Sequence, residues 1–521
     1  MNKIMCLLFC SFVTIVSWSQ QLYVAAGENV TISPTAYVFA GGAIEVAATG
    51  NLTIASNATH SGALIANAAS VTGALTYQRY VPATGTSWNH VTPPVGTQGV
   101  QAFVANTNNA IRTSSATGNY ALATWKSAND VGQKWTYHNE SPAAGSPNQE
   151  THTNFVNGQG YTTSRASAGT FSFTGALTTT DVSKTIGGDG LNWTAVGNPY
   201  AAFLSTAAVY TANQAVLDPG YAALYLWDPG SNGGEWVPFN ASSVDQQLHP
   251  GKGFLVKAKA ETTATDTQEF VFSKALQAPQ ETTDAFVRTT PVQKIRLRLY
   301  SETASASTTL KYFSNTTAGF DLGWDAAAFN GETSSLSVDT HLVANSEGVP
   351  YTLQCLNDNE YEDAPIALAV KAAANQALTF EAEASNLPEG MEVYLEDKMH
   401  NTITKISHGA SHTLSLAHAV DGIGNFYLHT SRTTLQTEEP LPVVRHLNAY
   451  TTRKENLRIT GLAAQETAQI RLYNTLGQEV FEHRFASQNV NDIALPNLGS
   501  GIYIVKITGT TASLTKKIIL E

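Results

Sequence analysis

The chain has 521 residues, with 29 Lys and Arg against 41 Asp and Glu and a formal net charge of −12. Charged residues make up 13% of it while apolar residues reach 43%, against about 25% charged in an ordinary globular domain. The apolar share excludes wholesale disorder, and the acidic balance argues against nucleic acid, which needs a concentrated cationic footprint.

The first nineteen residues follow the three-part pattern of a secretory signal peptide. Lys3 is the positive end, Ile4 to Val16 the apolar run, and Ser17-Trp18-Ser19 the small-residue cleavage site before Gln20. That apolar run is shorter than the ~20 residues that span a bilayer, so no transmembrane helix is expected in the mature chain. Cys6 and Cys10 leave with this leader, and Cys355 then stands alone. No disulfide or cysteine zinc site is available to such a chain. Cys355 lies in an alternating apolar run and reads as a core residue.

Residues 20–85 repeat one theme, a Gly or Asn turn followed by a short apolar alternation. Examples are Gly27-Glu28-Asn29-Val30-Thr31-Ile32, Gly50-Asn51-Leu52-Thr53-Ile54 and Gly73-Ala74-Leu75-Thr76-Tyr77. Such strands bury an apolar face only against stacked neighbours, which predicts a short β-solenoid or a meander. Glu28, Glu45 and Arg79 are the charged residues of this stretch.

Residues 86–285 carry short aromatic-rich strands, such as Phe171-Ser172-Phe173-Thr174 and Ala223-Leu224-Tyr225-Leu226-Trp227. Turn clusters such as His249-Pro250-Gly251-Lys252-Gly253 separate them, and the pattern predicts a sandwich or jelly roll. Ala201 to Val216 is the one segment suited to a short helix. Residues 286–435 form a second sandwich-like region, in which Ile295, Leu297 and Leu299 face one side and Arg296 and Arg298 the other. Residues 436–450, with Thr437-Glu438-Glu439-Pro440-Leu441-Pro442, read as a linker. Residues 451–521 read as a small Ig-like β-sandwich, so the fold class is all-β throughout.

The last region supports a more specific reading. Leu472-Tyr473-Asn474 with Gly477, then Gly501-Ile502-Tyr503, and finally Lys516-Lys517-Ile518-Ile519 occur in an order that resembles the type A C-terminal sorting domain of the type IX secretion system of Bacteroidota. Leu472, Tyr473, Gly477, Gly501, Tyr503, Lys516 and Lys517 carry the resemblance. One departure is Asn448-Ala449-Tyr450-Thr451-Thr452, where members usually open with a Tyr-Pro-Asn-Pro-like segment. The resemblance implies two-step export, with the outer-membrane type IX machinery as partner. It also implies a product released from the cell or anchored to surface lipopolysaccharide. Upstream, Ser87-Trp88-Asn89-His90, Gly197-Asn198-Pro199-Tyr200 and Gly319-Phe320-Asp321-Leu322-Gly323-Trp324-Asp325 resemble uncharacterised flavobacterial secreted surface proteins.

Catalytic signals are weak. His408, His412 and His418 have no carboxylate placed between them as a base and read as structural or solvent-facing. Gly158-Gln159-Gly160 and Gly251-Lys252-Gly253 read as turns rather than phosphate loops. The loop from Asn357 to Asp363 offers hard oxygen ligands for calcium, or is a solvated acidic loop. Asp321 and Asp325 flank Trp324 either as paired carboxylates of a glycan hydrolase or as turn caps, with Phe320 and Trp324 in the core. Glu396 and Asp397 pose the same choice. Trp125, Trp135, Tyr137, Trp227 and Trp236 lie in loop-rich surroundings; Trp227 and Trp236 are the candidates for stacking on an extracellular glycan. The leading expectation is a non-catalytic, secreted or cell-surface adhesion or matrix-contact protein with no cofactor other than that calcium. A carbohydrate-binding protein is the alternative, and a hydrolase the third reading.

Overall fold

The computed structural model describes residues 17–520 apart from 20, 67–69, 82–87, 131, 230–233, 262, 264–265, 281–291, 360–364, 433–446, 454–455, 463–464, 466, 489 and 511. The leader as far as residue 16, the linker segment 437–442 and positions 360–363 of the acidic loop therefore lie outside the described residues. The chain divides into two units, Met1–Thr289 with Phe329–Thr333, and Thr290–Ala328 with Ser334–Glu521.

Unit 1 opens with parallel ladders. Leu22–Val24 pairs with Ile44–Val46 and that with Val71–Thr72, and Asn29–Ile32 pairs with Asn51–Ile54. Ser17–Ser19, Tyr37–Ala40 and Ala63–Ala66 make a third side. This is a three-sided β-solenoid. Its register sets Asn51 directly over Asn29, 22 residues back, with Nδ2 of Asn51 donating to Oδ1 of Asn29 at 2.9 Å. Alternation explains the inside of the coils: Val24, Ile32, Ile44, Val46, Leu52 and Ile54 fill it, while residues between them face out.

The last coil of a solenoid leaves an open hydrogen-bonding edge. Here Leu75–Val81 runs parallel to Asn51–Ile54 on one side and antiparallel to Gly169–Leu177 on the other. The core follows the strand across this junction, so Tyr77 joins Phe103, Phe155, Phe171 and Phe173 in one cluster. Phe103 and Phe173 stack at 4.8 Å. Two antiparallel sheets complete the part of unit 1 that matters below. One holds Asn89–Val91, Tyr161–Thr163, Leu122–Trp125 and Trp135–His138; the other holds Trp193–Gly197, Gly253–Lys257, Leu224–Asp228 and Glu235–Phe239. The helix Thr206–Asn213 falls in the expected segment, and the Ser205 hydroxyl caps it by accepting from the Ala208 N–H. A second helix, Val100–Ala105, corrects the expectation of a single one. Burial of Val100, Phe103 and Val104 on one face holds these β-branched and aromatic residues helical.

In unit 2 the strands from Gln293 to Ser431 join in one sheet that curls almost shut. Ile406 closes it, donating its N–H to the Val393 carbonyl at 2.9 Å and accepting from the Ala382 N–H at 2.8 Å. Ile295, Leu297, Leu299, Phe380 and Phe426 fill the inside, and Arg298 on the outer face pairs with Glu383 at 3.2 Å. The C-terminal sandwich packs a three-stranded sheet, Asn448–Arg453, Asn456–Thr460 and Val490–Ala494, on a four-stranded one. Leu457, Ile459, Ile470, Leu472, Val505 and Ile507 lie between them. The all-β class expected from the sequence is the class that forms.

Sandwich and curled sheet meet within unit 2 at a bulge in Val420–Ser431, where the register against Ile366–Ala372 shifts. Arg458 pairs with Asp492 at 2.7 Å and donates to the Asp421 carbonyl. Gly424, at φ +112, lies so close that an added Cβ would sit 2.1 Å from Val490 Cγ2. Gly390, at φ +78, has nothing within 4 Å of that position. Gly424→Ala is expected to cost backbone strain plus a clash, about 2–3 kcal/mol, whereas Gly390→Ala costs the strain alone, about 1 kcal/mol. Thermal denaturation of the two variants measures the difference.

Candidate functional site

The tryptophans flagged by the sequence assemble in unit 1. Phe329 touches Trp193, Trp236 and Trp125 at ring distances of 4.8, 5.5 and 5.9 Å. His90 touches Trp236, Trp135 and Trp227 at 4.6, 5.2 and 5.5 Å. Trp227 and Trp236 face one another across adjacent strands, at 5.1 Å with 63° between their planes. Edge-to-face packing uses the ring faces on one another, so this pair is not a coplanar platform for a sugar. Both remain half-buried, and Trp125 is buried. Tyr137 packs elsewhere, on Trp88 at 5.9 Å. Gly234, at φ +86, lets its strand approach the Trp227 ring, where a Cβ would lie 2.3 Å from the indole. Trp193 joins the group unflagged; its Nε1 donates to Asn330 Oδ1 at 2.8 Å.

Beside this cluster is a pocket of about 30 Å³ lined by Arg79, Asn89, His90, Val91, Trp227 and Lys252, among others. It has room for about two waters. Arg79 comes from the junction strand, and Lys252 from the turn after His249, which an isolated bridge ties to Val91. The Lys252 ammonium donates to the Trp227 carbonyl at 3.1 Å. Nε of Arg79 and Nε1 of Trp227 are closed off from solvent and have no hydrogen-bond partner among the described residues.

Crowding of cations in a desolvated place shifts every titration here in one direction. Burial brings Lys252 down to about 8, Arg79 pushes the same way, and Asp228 opposes. Burial, with Arg79 and Lys252, brings His249 down to about 3. Burial first and Lys252 second hold His90 well below the ordinary imidazole range.

The other sequence candidates are engaged by neighbouring main-chain and side-chain groups or face solvent. Asp325 is buried; its Oδ1 accepts from the Cys355 N–H and its Oδ2 from the Asp321 N–H, each at 2.7 Å. Burial raises its carboxyl to about 7 against those bonds. Asp321 accepts from the N–H and hydroxyl of Thr317. The two carboxylates thus cap their own turn, and Asp325 also ties it to the strand Tyr351–Asn357. Trp324 packs on Phe313 at 4.8 Å, but Phe320 is 39% exposed, which corrects the reading of it as a core anchor. Asp397, with no exposed surface, holds His400 Nδ1 at 2.6 Å and His412 Nε2 at 3.5 Å. Glu396 holds His429 at 2.9 Å and the Lys398 ammonium. His408 stands in a turn at φ +55, 3.5 Å from Glu392, and so does not share a strand face with His412. His418 is exposed.

The sorting motif divides by direction. Leu472 is buried and Tyr473 half-buried, and Gly477 turns the chain at φ +77. Gly501 opens a strand, and Tyr503 donates its hydroxyl to the Gly499 carbonyl at 2.8 Å. Lys516 donates to the Ser346 carbonyl and to Asn448 Oδ1, while Lys517 faces solvent.

One stability consequence follows from the pocket. A lysine lowered from 10.5 to about 8 carries its burial cost in full below pH 8. That cost fades between pH 8 and 10.5, because the unfolded chain keeps the proton longer. Lys252→Met is therefore expected to raise stability at pH 7 by up to about 3 kcal/mol, an upper bound because the side chain keeps some solvent contact. The gain over wild type should shrink toward pH 10.5, which chemical denaturation across that range reads directly.

Two family models match the chain. The family described as Domain of unknown function (DUF8693) matches residues 11–417, and the Secretion system C-terminal sorting domain matches residues 453–521. No curated protein matches the chain. Among solved structures, dimeric latent PorU from Porphyromonas gingivalis matches at 8% identity over 48% of this chain and 31% of that one, with a TM-score of 0.15. The chain thus spans about a third of PorU, and so low a score carries no argument about fold. The chain belongs to the DUF8693 family, and its last seventy or so residues are a type IX secretion C-terminal sorting domain.

Proposed function

We propose that this protein is a type IX cargo that, once its leader 1–19 is removed, works at the cell surface or in the medium as a non-catalytic adhesion or matrix-contact protein. The sorting domain at 453–521 is the observation that carries the export half of this reading. No helix among the described residues is long and apolar enough to cross a membrane.

The contact half rests on the surface that unit 1 offers. Its solenoid presents laddered polar side chains on flat strands, as where Asn51 bonds Asn29. At the junction Thr76 and Thr174 meet at 2.9 Å. Repeated, nearly uncharged β faces suit broad low-affinity contact with another surface better than they suit a pocketed substrate. A hydrolase reading is weakened by the main-chain bonds that occupy Asp321 and Asp325. A glycan reading is weakened by the edge-to-face packing of Trp227 on Trp236.

Two measurements test the two halves separately. Deleting residues 451–521 in the native bacterium is expected to leave the protein in the periplasm. Wild-type surface display of the deletion would sink the export reading. A binding screen of the exported protein against glycans and extracellular-matrix components is expected to show matrix retention. Tight, saturable binding of one glycan would replace adhesion with carbohydrate recognition.

A further inference from the structure

We propose that the pocket between Arg79, Lys252 and Trp227 is a carboxylate-binding site, in which the guanidinium and the ammonium hold the anion together. Both cations line the same small space. Neither forms an ion pair with an acidic residue among the described residues; Asp228 acts on Lys252 electrostatically. The segments next to the lining in sequence, 82–87 and 230–233, contain no Asp or Glu.

Two N–H donors of the lining residues, Arg79 Nε and Trp227 Nε1, are shut off from solvent with no acceptor among the described residues. Buried donors are almost always paired, and a buried cation without a counter-charge is costly. An anion in the pocket supplies the missing counter-charge to both cations. A planar carboxylate matches the guanidinium fork and draws charge-assisted bonds from both cations. Size narrows the class further. About 30 Å³ admits the head group of an acid but not a sugar ring. Arg79, Asn89, Trp227 and Lys252 are each only half-buried, which leaves the mouth open to whatever carries the carboxylate. The carrier is a small free acid or an acidic polysaccharide. A net charge of −12 repels a polyanion at long range and favours the small acid.

The test is a titration of the full-length protein at constant ionic strength, held with sodium chloride, reading tryptophan fluorescence and the thermal midpoint. Sodium acetate is the first probe and polygalacturonate the second. Acetate is expected to give a saturable fluorescence change and a raised midpoint in the unmutated protein. Arg79→Gln and Lys252→Met are each expected to weaken that response about tenfold or more. Lys252→Met removes an unpaired cation, so it is expected to keep its fold, which circular dichroism confirms. A response to acetate alone supports the site with a small acid as ligand; a response to both probes supports it with the carboxylate borne on a polymer. No saturable response to either probe, or wild-type acetate binding by folded Lys252→Met, overturns the proposal.

Discussion

The strand Leu75–Val81 pairs parallel on one edge and antiparallel on the other, and unit 1 depends on that double pairing. A solenoid coil is satisfied only by the coil before it and the coil after it, so its final edge must be capped or it invites pairing with another chain. Gly169–Leu177 supplies the cap, over seven paired positions from Gly169 opposite Val81 to Gly175 opposite Leu75. The same strand sends Tyr77 into the aromatic core and sets Arg79 in the pocket wall. Architecture and candidate chemistry therefore rest on one set of main-chain hydrogen bonds.

A chain this poor in charge, with Cys355 buried and in no disulfide, has packing as its main source of stability. Its aromatic clusters supply much of it, each ring removing a large apolar area from water. Against that background the buried ionisable groups stand out as costs. Unit 1 gathers cations around Lys252 and His249. Unit 2 buries Asp325 and Asp339, whose carboxyls burial raises to about 7. Asp325 is repaid by two main-chain N–H donors and the turn they hold. Arg79 Nε has no acceptor among the described residues, which is why the pocket and the turn have different meanings.

Much of the architecture was legible as alternation of period two. The clean pattern of Ile295, Leu297 and Leu299 faces the inside of the curled sheet, and the Gly–Asn theme of residues 20–85 became stacked coils. Arg79 could have been found the same way, since it shares strand parity with Leu75, Tyr77 and Val81 on an otherwise apolar row. Lys252 could not. Its flanking glycines read as a turn, and only a distant bridge to Val91 brings it to the pocket. The tryptophans were visible one by one, but their meeting around Phe329 and His90 is tertiary information. Likewise no local pattern separates Lys516, locked on Ser346 and Asn448, from its exposed neighbour Lys517 beyond their opposite strand parity.

Amide hydrogen exchange of the intact protein, followed peptide by peptide, tests the junction most directly. Amides of 75–81 and 169–177 are expected to exchange together and among the slowest of unit 1, because each strand is protected by the other. Exchange of 75–81 as fast as the exposed loops, or slow exchange there while 169–177 opens freely, would contradict the account.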